Sequence, residues 1–69
     1  MTYFVWTEVE PEVLHEKKGF AKLKDAERHA FHQRRILKDY FVITITAGDD
    51  FDKKLTIYVG SKHRELYGT

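Results

Sequence analysis

Residues 40–59 read YFVITITAGDDFDKKLTIYV, the most regularly patterned stretch of this 69-residue chain. From Tyr40 to Ala47 the side chains alternate between the two sides of an extended chain, one side carrying Phe41, Ile43 and Ile45. Residues 48–53 are rich in Gly and Asp, which favour turns. Residues 54–59 then alternate again, with an expected inward set of Leu55, Ile57 and Val59 and an outward set of Thr56 and Tyr58. The stretch predicts an antiparallel hairpin.

The segment before the hairpin predicts one helix, from about Lys24 to Lys38. It contains neither Gly nor Pro, and its carboxylates come early and its cations late, as the helix dipole prefers. An apolar stripe along one side consists of Leu23, Ala26, Ala30 and Leu37. The small Ala26 and Ala30 at its centre allow the helix to lie close to a sheet.

The N-terminal residues predict one or two further strands. Residues 3–9 are mostly β-branched or aromatic, and Pro11 ends the strand because proline lacks a backbone donor. Residues 13–20 fit either a short edge strand or an ordered loop, and the strand is the preferred interpretation. The sequence thus predicts an α+β fold of order β(β)αββ, in which one helix packs on a three- or four-stranded, mainly antiparallel sheet. Residues 1–69 are expected to form a single small domain, with 61–69 as a flexible tail.

The second face of the sheet is predicted to be a mixed polar and aromatic surface. It would carry Thr44, Thr46, Thr56 and Tyr58, together with either Phe4 and Trp6 or Tyr3 and Val5. Such a face is either solvated or available to a partner.

Composition excludes several classes of function. The absence of Cys removes disulfides, thiolate metal sites and Cys nucleophiles, and the four Gly residues are isolated, so no phosphate-binding loop is present. Ser61, the single Ser, lacks a nucleophile motif, and His29 and His32 at i, i+3 are too few for a zinc site. No apolar run approaches the roughly 18 residues of a membrane span. We therefore expect a cytoplasmic protein that is not an enzyme, binds no cofactor or metal ion and has no membrane as a partner.

Charge is unevenly distributed, although the formal net charge is +1. Residues 17–38 hold eight of the twelve Lys and Arg residues against two carboxylates. On the helix side opposite the apolar stripe, five positions fall within about 80° of one another: Lys24, Arg28, Phe31, Arg35 and Lys38. An aromatic anchor with a charged rim is typical of protein interfaces, and aromatic stacking beside cations is typical of single-strand nucleic-acid binding. In the alternative interpretation Phe31 covers the edge of the sheet and the cations are solvated.

The leading functional hypothesis is a small non-enzymatic protein-interaction module that uses either the Phe31 surface or the aromatic sheet face. Residues 19–27, which run from a strand through a short turn into the helix before the hairpin, are similar to what many small bacterial and phage proteins show, a generic similarity that carries no function. By analogy alone, the module would be a small regulator or inhibitor of a host protein of the phage-encoded kind. The alternative hypothesis is nucleic-acid binding by the basic helix, with phosphate contacts from Lys17, Lys18 and Lys22. A second copy of the chain is a further candidate partner.

Overall fold

A computed structural model describes residues 1–67 and confirms the α+β fold. The elements follow one another in the order β1 (Tyr3–Glu10), β2 (Val13–Phe20), α1 (Leu23–Ile36), β3 (Val42–Ala47), β4 (Lys54–Val59) and α2 (Ser61–Tyr67). The strand interpretation of residues 13–20 is confirmed, and so is the β3–β4 hairpin.

The four strands form one antiparallel sheet in the order β2-β1-β3-β4. β1 lies between β2 and β3, with Val5 opposite Lys18 on one side and opposite Ile45 on the other. The two edges of the sheet are therefore β2 and β4, and α1 covers one of its faces.

The core lies between α1 and that sheet face. Its sheet side consists of Val5, Ile43 and Ile45, while Ala26 and Ala30 come from α1, and Phe41 closes one end. The two alanines are fully buried, which agrees with their predicted role of bringing the helix close to the sheet. Leu23 was expected in this contact, but it is 36% exposed and lies at the helix start, outside the core.

The helix is shorter than predicted. Leu37 has extended backbone angles (φ −80°, ψ 139°), and its N–H donates a 2.9 Å hydrogen bond to the carbonyl of Gln33. Leu37 packs against the core, and Asp39 adopts a left-handed conformation (φ 65°) just before the chain enters β3. Lys38 therefore lies beyond the helix end and does not follow the helical spacing of the other predicted binding residues.

The side-chain assignment predicted for β4 is wrong. Ile43 is opposite Tyr58, and Thr44 is opposite Ile57. Since directly opposed residues share a face, Tyr58 lies on the α1 side with the core and Ile57 lies on the other face. A register shift between Ile45 and Thr46 places Leu55 as the extra residue of the strand.

The C-terminal residues form a helix where a flexible tail was expected. α2 begins directly after the buried Gly60, whose N–H donates to the carbonyl of Phe41 at 2.9 Å. The N–H of Lys62 donates to the carbonyl of Asp39 at 3.2 Å, so the start of α2 is held against the α1–β3 connection. Residues 68–69, which belonged to the expected tail, lie outside the described part. Neither described helix is long and apolar enough to cross a membrane.

Candidate functional site

Four of the five predicted binding residues lie together on the exposed side of α1. We call Lys24, Arg28, Phe31 and Arg35 the helix ridge. All four are exposed, and they lie opposite the buried Ala26 and Ala30. Because their spacing is three or four residues, they form one continuous row along the helix. Lys38, the fifth, is exposed but lies past the helix end.

Phe31 is exposed and lies outside the core. Its side chain is 52% exposed, and it is not among the residues packed against the core. The interpretation of Phe31 as part of the rim of the core is therefore not supported. Partial exposure leaves a large apolar area that contact with a partner would remove from water.

The cations of the helix ridge are not neutralised by nearby carboxylates. In residues 1–67, ion pairs join Lys17 to Asp49 and Lys62 to Glu65, and the His29 ring contacts the Glu16 carboxylate; none of these contacts includes Lys24, Arg28 or Arg35. Cations without an ion-pair partner remain available to an incoming molecule, and the three together favour a negatively charged one.

An open depression of about 540 Å³ lies beside the helix ridge, between α1 and the end of β2. Its lining consists of Phe20, Asp25, Arg28, His29 and His32. His29 Nε2 lies 2.7 Å from Glu16 Oε1, and its ring lies 5.2 Å from that of Phe20. His29 is thus held by β2 rather than aimed at a ligand. Among the residues that the structure describes, no group of three or more His, Asp or Glu side chains could hold a metal ion.

The sheet face away from α1, here called the open face, carries an aromatic cluster. Phe4 and Trp6 lie there with Thr44 and Thr46, as one of the two predicted alternatives states, whereas Thr56 and Tyr58 face α1. The Trp6 ring meets that of Phe51 edge-on at 5.1 Å. Sequence patterning missed Phe51, because it lies in an Asp-rich turn outside the alternating strands.

Two lysines cover this aromatic cluster. The Lys17 ammonium lies 5.0 Å from the ring centre of Phe4 and 4.6 Å from that of Trp6, and it also pairs with Asp49. Lys54 lies 4.4 Å from the ring centre of Phe51. The lysines of the open face therefore already make cation–π contacts with its rings, whereas the cations of the helix ridge have no ion-pair partner in the described chain.

A third cluster, not predicted from the sequence, forms where α2 meets β1. The Tyr40 hydroxyl donates to Glu8 Oε2 at 3.4 Å, and the His63 ring lies between those of Tyr40 and Tyr67, at 5.6 and 4.8 Å. Burial raises the pKa of Tyr40 above its ordinary value of 10.0, and the Glu8 carboxylate raises it further. Because α2 was expected to be a tail, its His63 and Tyr67 could not be placed beside Tyr40.

Comparison with known proteins gives no relative from which a role could be carried over: no family model, curated protein or solved structure matches this chain.

Proposed function

We propose that this chain is a non-enzymatic protein-interaction module whose helix ridge binds an acidic surface of a partner protein. The observation that carries the proposal is the half-exposed Phe31 ring, flanked along α1 by cations without ion-pair partners in the described chain. Phe31 would enter an apolar recess of the partner, and Lys24, Arg28 and Arg35 would meet carboxylates around it.

The ring and the cations are expected to contribute to binding in different ways. A buried aromatic anchor typically contributes about 2 kcal/mol or more to binding, whereas cations at a solvated rim chiefly steer association. The buried Ala26 and Ala30 fix α1 against the sheet, so the ridge is presented on a rigid element. Little conformational entropy is then lost on binding.

The test compares two equally exposed apolar residues of α1. Phe31 lies on the helix ridge, while Ile36, which is 56% exposed, lies on another side of the helix. Proteins captured from the native host by the immobilised chain are sorted by whether Phe31→Ala and Ile36→Ala retain them, and affinities are then measured with purified candidates. The proposal requires a partner that Ile36→Ala binds like the wild type and Phe31→Ala binds at least tenfold more weakly. If every captured protein binds both variants equally, the ridge is not the contact surface.

Nucleic-acid binding by the same ridge is the second candidate. It is favoured by the same unpaired cations around an exposed ring. Asp25 and Glu27, which are exposed in the first half of α1, weaken the field that a phosphate backbone would meet. For this reason an acidic protein surface, which places a few carboxylates rather than a continuous row of phosphates, is the better match.

A further inference from the structure

The β4 edge of the sheet is open and apolar. β4 pairs with β3 on one side, and no strand of the described chain lies on its other side. Residues 55–59 carry no charge, and the side chains of Leu55 and Ile57 are about half exposed. An uncharged, exposed edge strand is a template for pairing with another strand.

The hydrogen-bond pattern shows which backbone groups of β4 are free. The N–H of Gly60 donates to Phe41, which identifies this pair as a hydrogen-bonded one. In an antiparallel ladder hydrogen-bonded and non-hydrogen-bonded pairs alternate. Val42–Val59 and Thr44–Ile57 are therefore non-hydrogen-bonded pairs. The N–H and C=O groups of Val59 and Ile57 point away from β3.

The other edge of the sheet is protected. β2 carries the charged residues Glu16, Lys17 and Lys18, and its pairing with β1 is interrupted by two register shifts. Charges and bulges on an edge strand prevent further strands from adding to it. β4 carries one bulge, at Leu55, and no charge from Leu55 to Val59, so residues 56–59 lack both kinds of protection and the two edges are not equivalent.

We infer that β4 pairs with β4 of a second copy of this chain, antiparallel, with Ile57 facing Ile57 across a twofold axis perpendicular to the sheet. The free N–H and C=O groups of Ile57 then bond to those of its copy, and the Leu55 bulge lies at the end of the contact, opposite Val59. Such an axis keeps both α1 helices on the same side, and it joins the two sheets into one of eight strands with a continuous open face. The contact is isologous and closes on itself.

Charge complementarity favours a second copy over another partner. Residues 49–52 of the turn before β4 carry three carboxylates, followed by Lys53 and Lys54, whereas α2 after β4 carries Lys62 and Arg64 and has no carboxylate in its first turn. Antiparallel pairing centred on Ile57 brings the turn before β4 of each chain beside the start of α2 of the other. The Lys62–Glu65 contact of 3.5 Å is exposed and does not prevent this.

The contact involves residues 55–59 of each chain, so its buried area is small and the dimer is expected to be reversible, dissociating in roughly the micromolar range or weaker. Sedimentation equilibrium between about 1 μM and 1 mM chain would show association toward twice the 8.2 kDa mass. Ile57→Lys should abolish association, because it places two ammonium groups against each other at the axis. Leu14→Lys is the matched control: Leu14 is 51% exposed on the protected β2 edge, and its variant should associate like the wild type.

Two further measurements test the geometry. In the wild type at high concentration, the amides of Ile57 and Val59 should be protected from hydrogen exchange, and in Ile57→Lys that of Val59 should exchange freely while those of Thr56 and Tyr58 stay protected by β3. Asp52→Lys should weaken the dimer, and adding Lys62→Asp to the same chain should restore it. A chain that stays monomeric at the highest concentration, a dimer that survives Ile57→Lys, or fast exchange of Ile57 and Val59 in the wild-type dimer would each overturn the inference.

Discussion

The indole N–H of Trp6 donates a 2.8 Å hydrogen bond to the hydroxyl of Thr46, the residue before the last of β3. The same hydroxyl donates a 2.8 Å bond to the carbonyl of Gly48, at the start of the β3–β4 turn. Thr46 is fully buried, so one side chain links the aromatic cluster of the open face to the turn.

Thr46→Val should therefore destabilise the protein although it conserves side-chain shape. The substitution leaves the Trp6 N–H and the Gly48 carbonyl without their partner, and a buried polar group without a partner costs about 1–3 kcal/mol. We expect the free energy of unfolding to fall by about 2 kcal/mol in urea denaturation followed by circular dichroism.

Thr7→Val is the same chemical change at another fully buried position, but it should stabilise the protein. The Thr7 hydroxyl oxygen lies in the α1-facing layer and has no hydrogen-bond partner in the structure. Removing it abolishes a desolvation cost, so the free energy of unfolding should rise by about 1 kcal/mol. If Thr7→Val is as destabilising as Thr46→Val, the hydrogen bonds of Thr46 are not the cause of its effect.

Gly60→Ala should be considerably more damaging than Gly48→Ala, for a different physical reason. A Cβ on Gly60 would lie 2.5 Å from the carbonyl oxygen of Asp39 and 2.8 Å from Cδ2 of Phe41, so it displaces backbone that holds the start of α2. A Cβ on Gly48 meets nothing within 4 Å, and the cost there is the left-handed conformation at φ +83°. Losses of about 3 and about 1 kcal/mol are expected in urea denaturation. Equal losses would show that backbone conformation, not collision, limits position 60.

The alkaline stability of the protein should depend on Tyr40. Burial and, after it, the Glu8 carboxylate raise its pKa above 10.0, so the folded state favours the neutral phenol. Because the folded pKa exceeds the unfolded one, this stabilisation is complete below about pH 10 and is lost as the pH rises through the folded value.

Glu8→Gln should accordingly lower the pKa of Tyr40, though not fully to 10.0, since burial remains. Tyrosinate absorbance gives the titration, and subtraction of the Tyr40→Phe curve isolates this residue from the other tyrosines. An unchanged titration in Glu8→Gln would show that the Glu8 charge does not contribute.

Periodicity in the sequence predicted α1, β1, β3 and β4, but it did not determine which side of β4 faces α1. Tyr58 and Ile57 lie on opposite faces of β4, and both side chains are largely apolar. Hydrophobicity alone therefore does not show which face is buried. The choice depends on the register with β3, where Ile43 lies opposite Tyr58. The Arg34 guanidinium, 5.4 Å from the ring centre of Tyr58, covers that ring from α1.

The helix ridge, in contrast to the faces of β4, was predictable from the sequence. Ala26 and Ala30 identify the buried side of α1 without ambiguity, and the opposite side follows from helical geometry. The end of α1 was less predictable, because Leu37 and Lys38 are good helix formers. Packing of Leu37 against the core outweighs this local preference and ends the helix at Ile36.

Salt dependence should separate the two candidate functions of the helix ridge. Counterion release makes log K for duplex DNA fall with log salt by about 0.9 for each phosphate neutralised. If the ridge binds nucleic acid, Arg28→Ala and Arg35→Ala should each flatten that slope by about one unit. Arg64→Ala, an exposed arginine on α2, serves as the control and should leave the slope unchanged.

If the ridge binds a protein instead, the Phe31 variant should lose more binding than the two arginine variants. Phe31→Ala should then weaken partner binding most, by about 2 kcal/mol, whereas the two arginine variants should chiefly slow association and reduce its sensitivity to salt. Binding is measured by surface plasmon resonance against random duplex DNA and against the captured partner, with circular dichroism as the check on folding. We expect negligible DNA binding at physiological ionic strength. Micromolar DNA binding that loses one unit of salt slope in each arginine variant would replace the protein-interaction proposal with the nucleic-acid one, because a partner's few carboxylates release no comparable counterion layer.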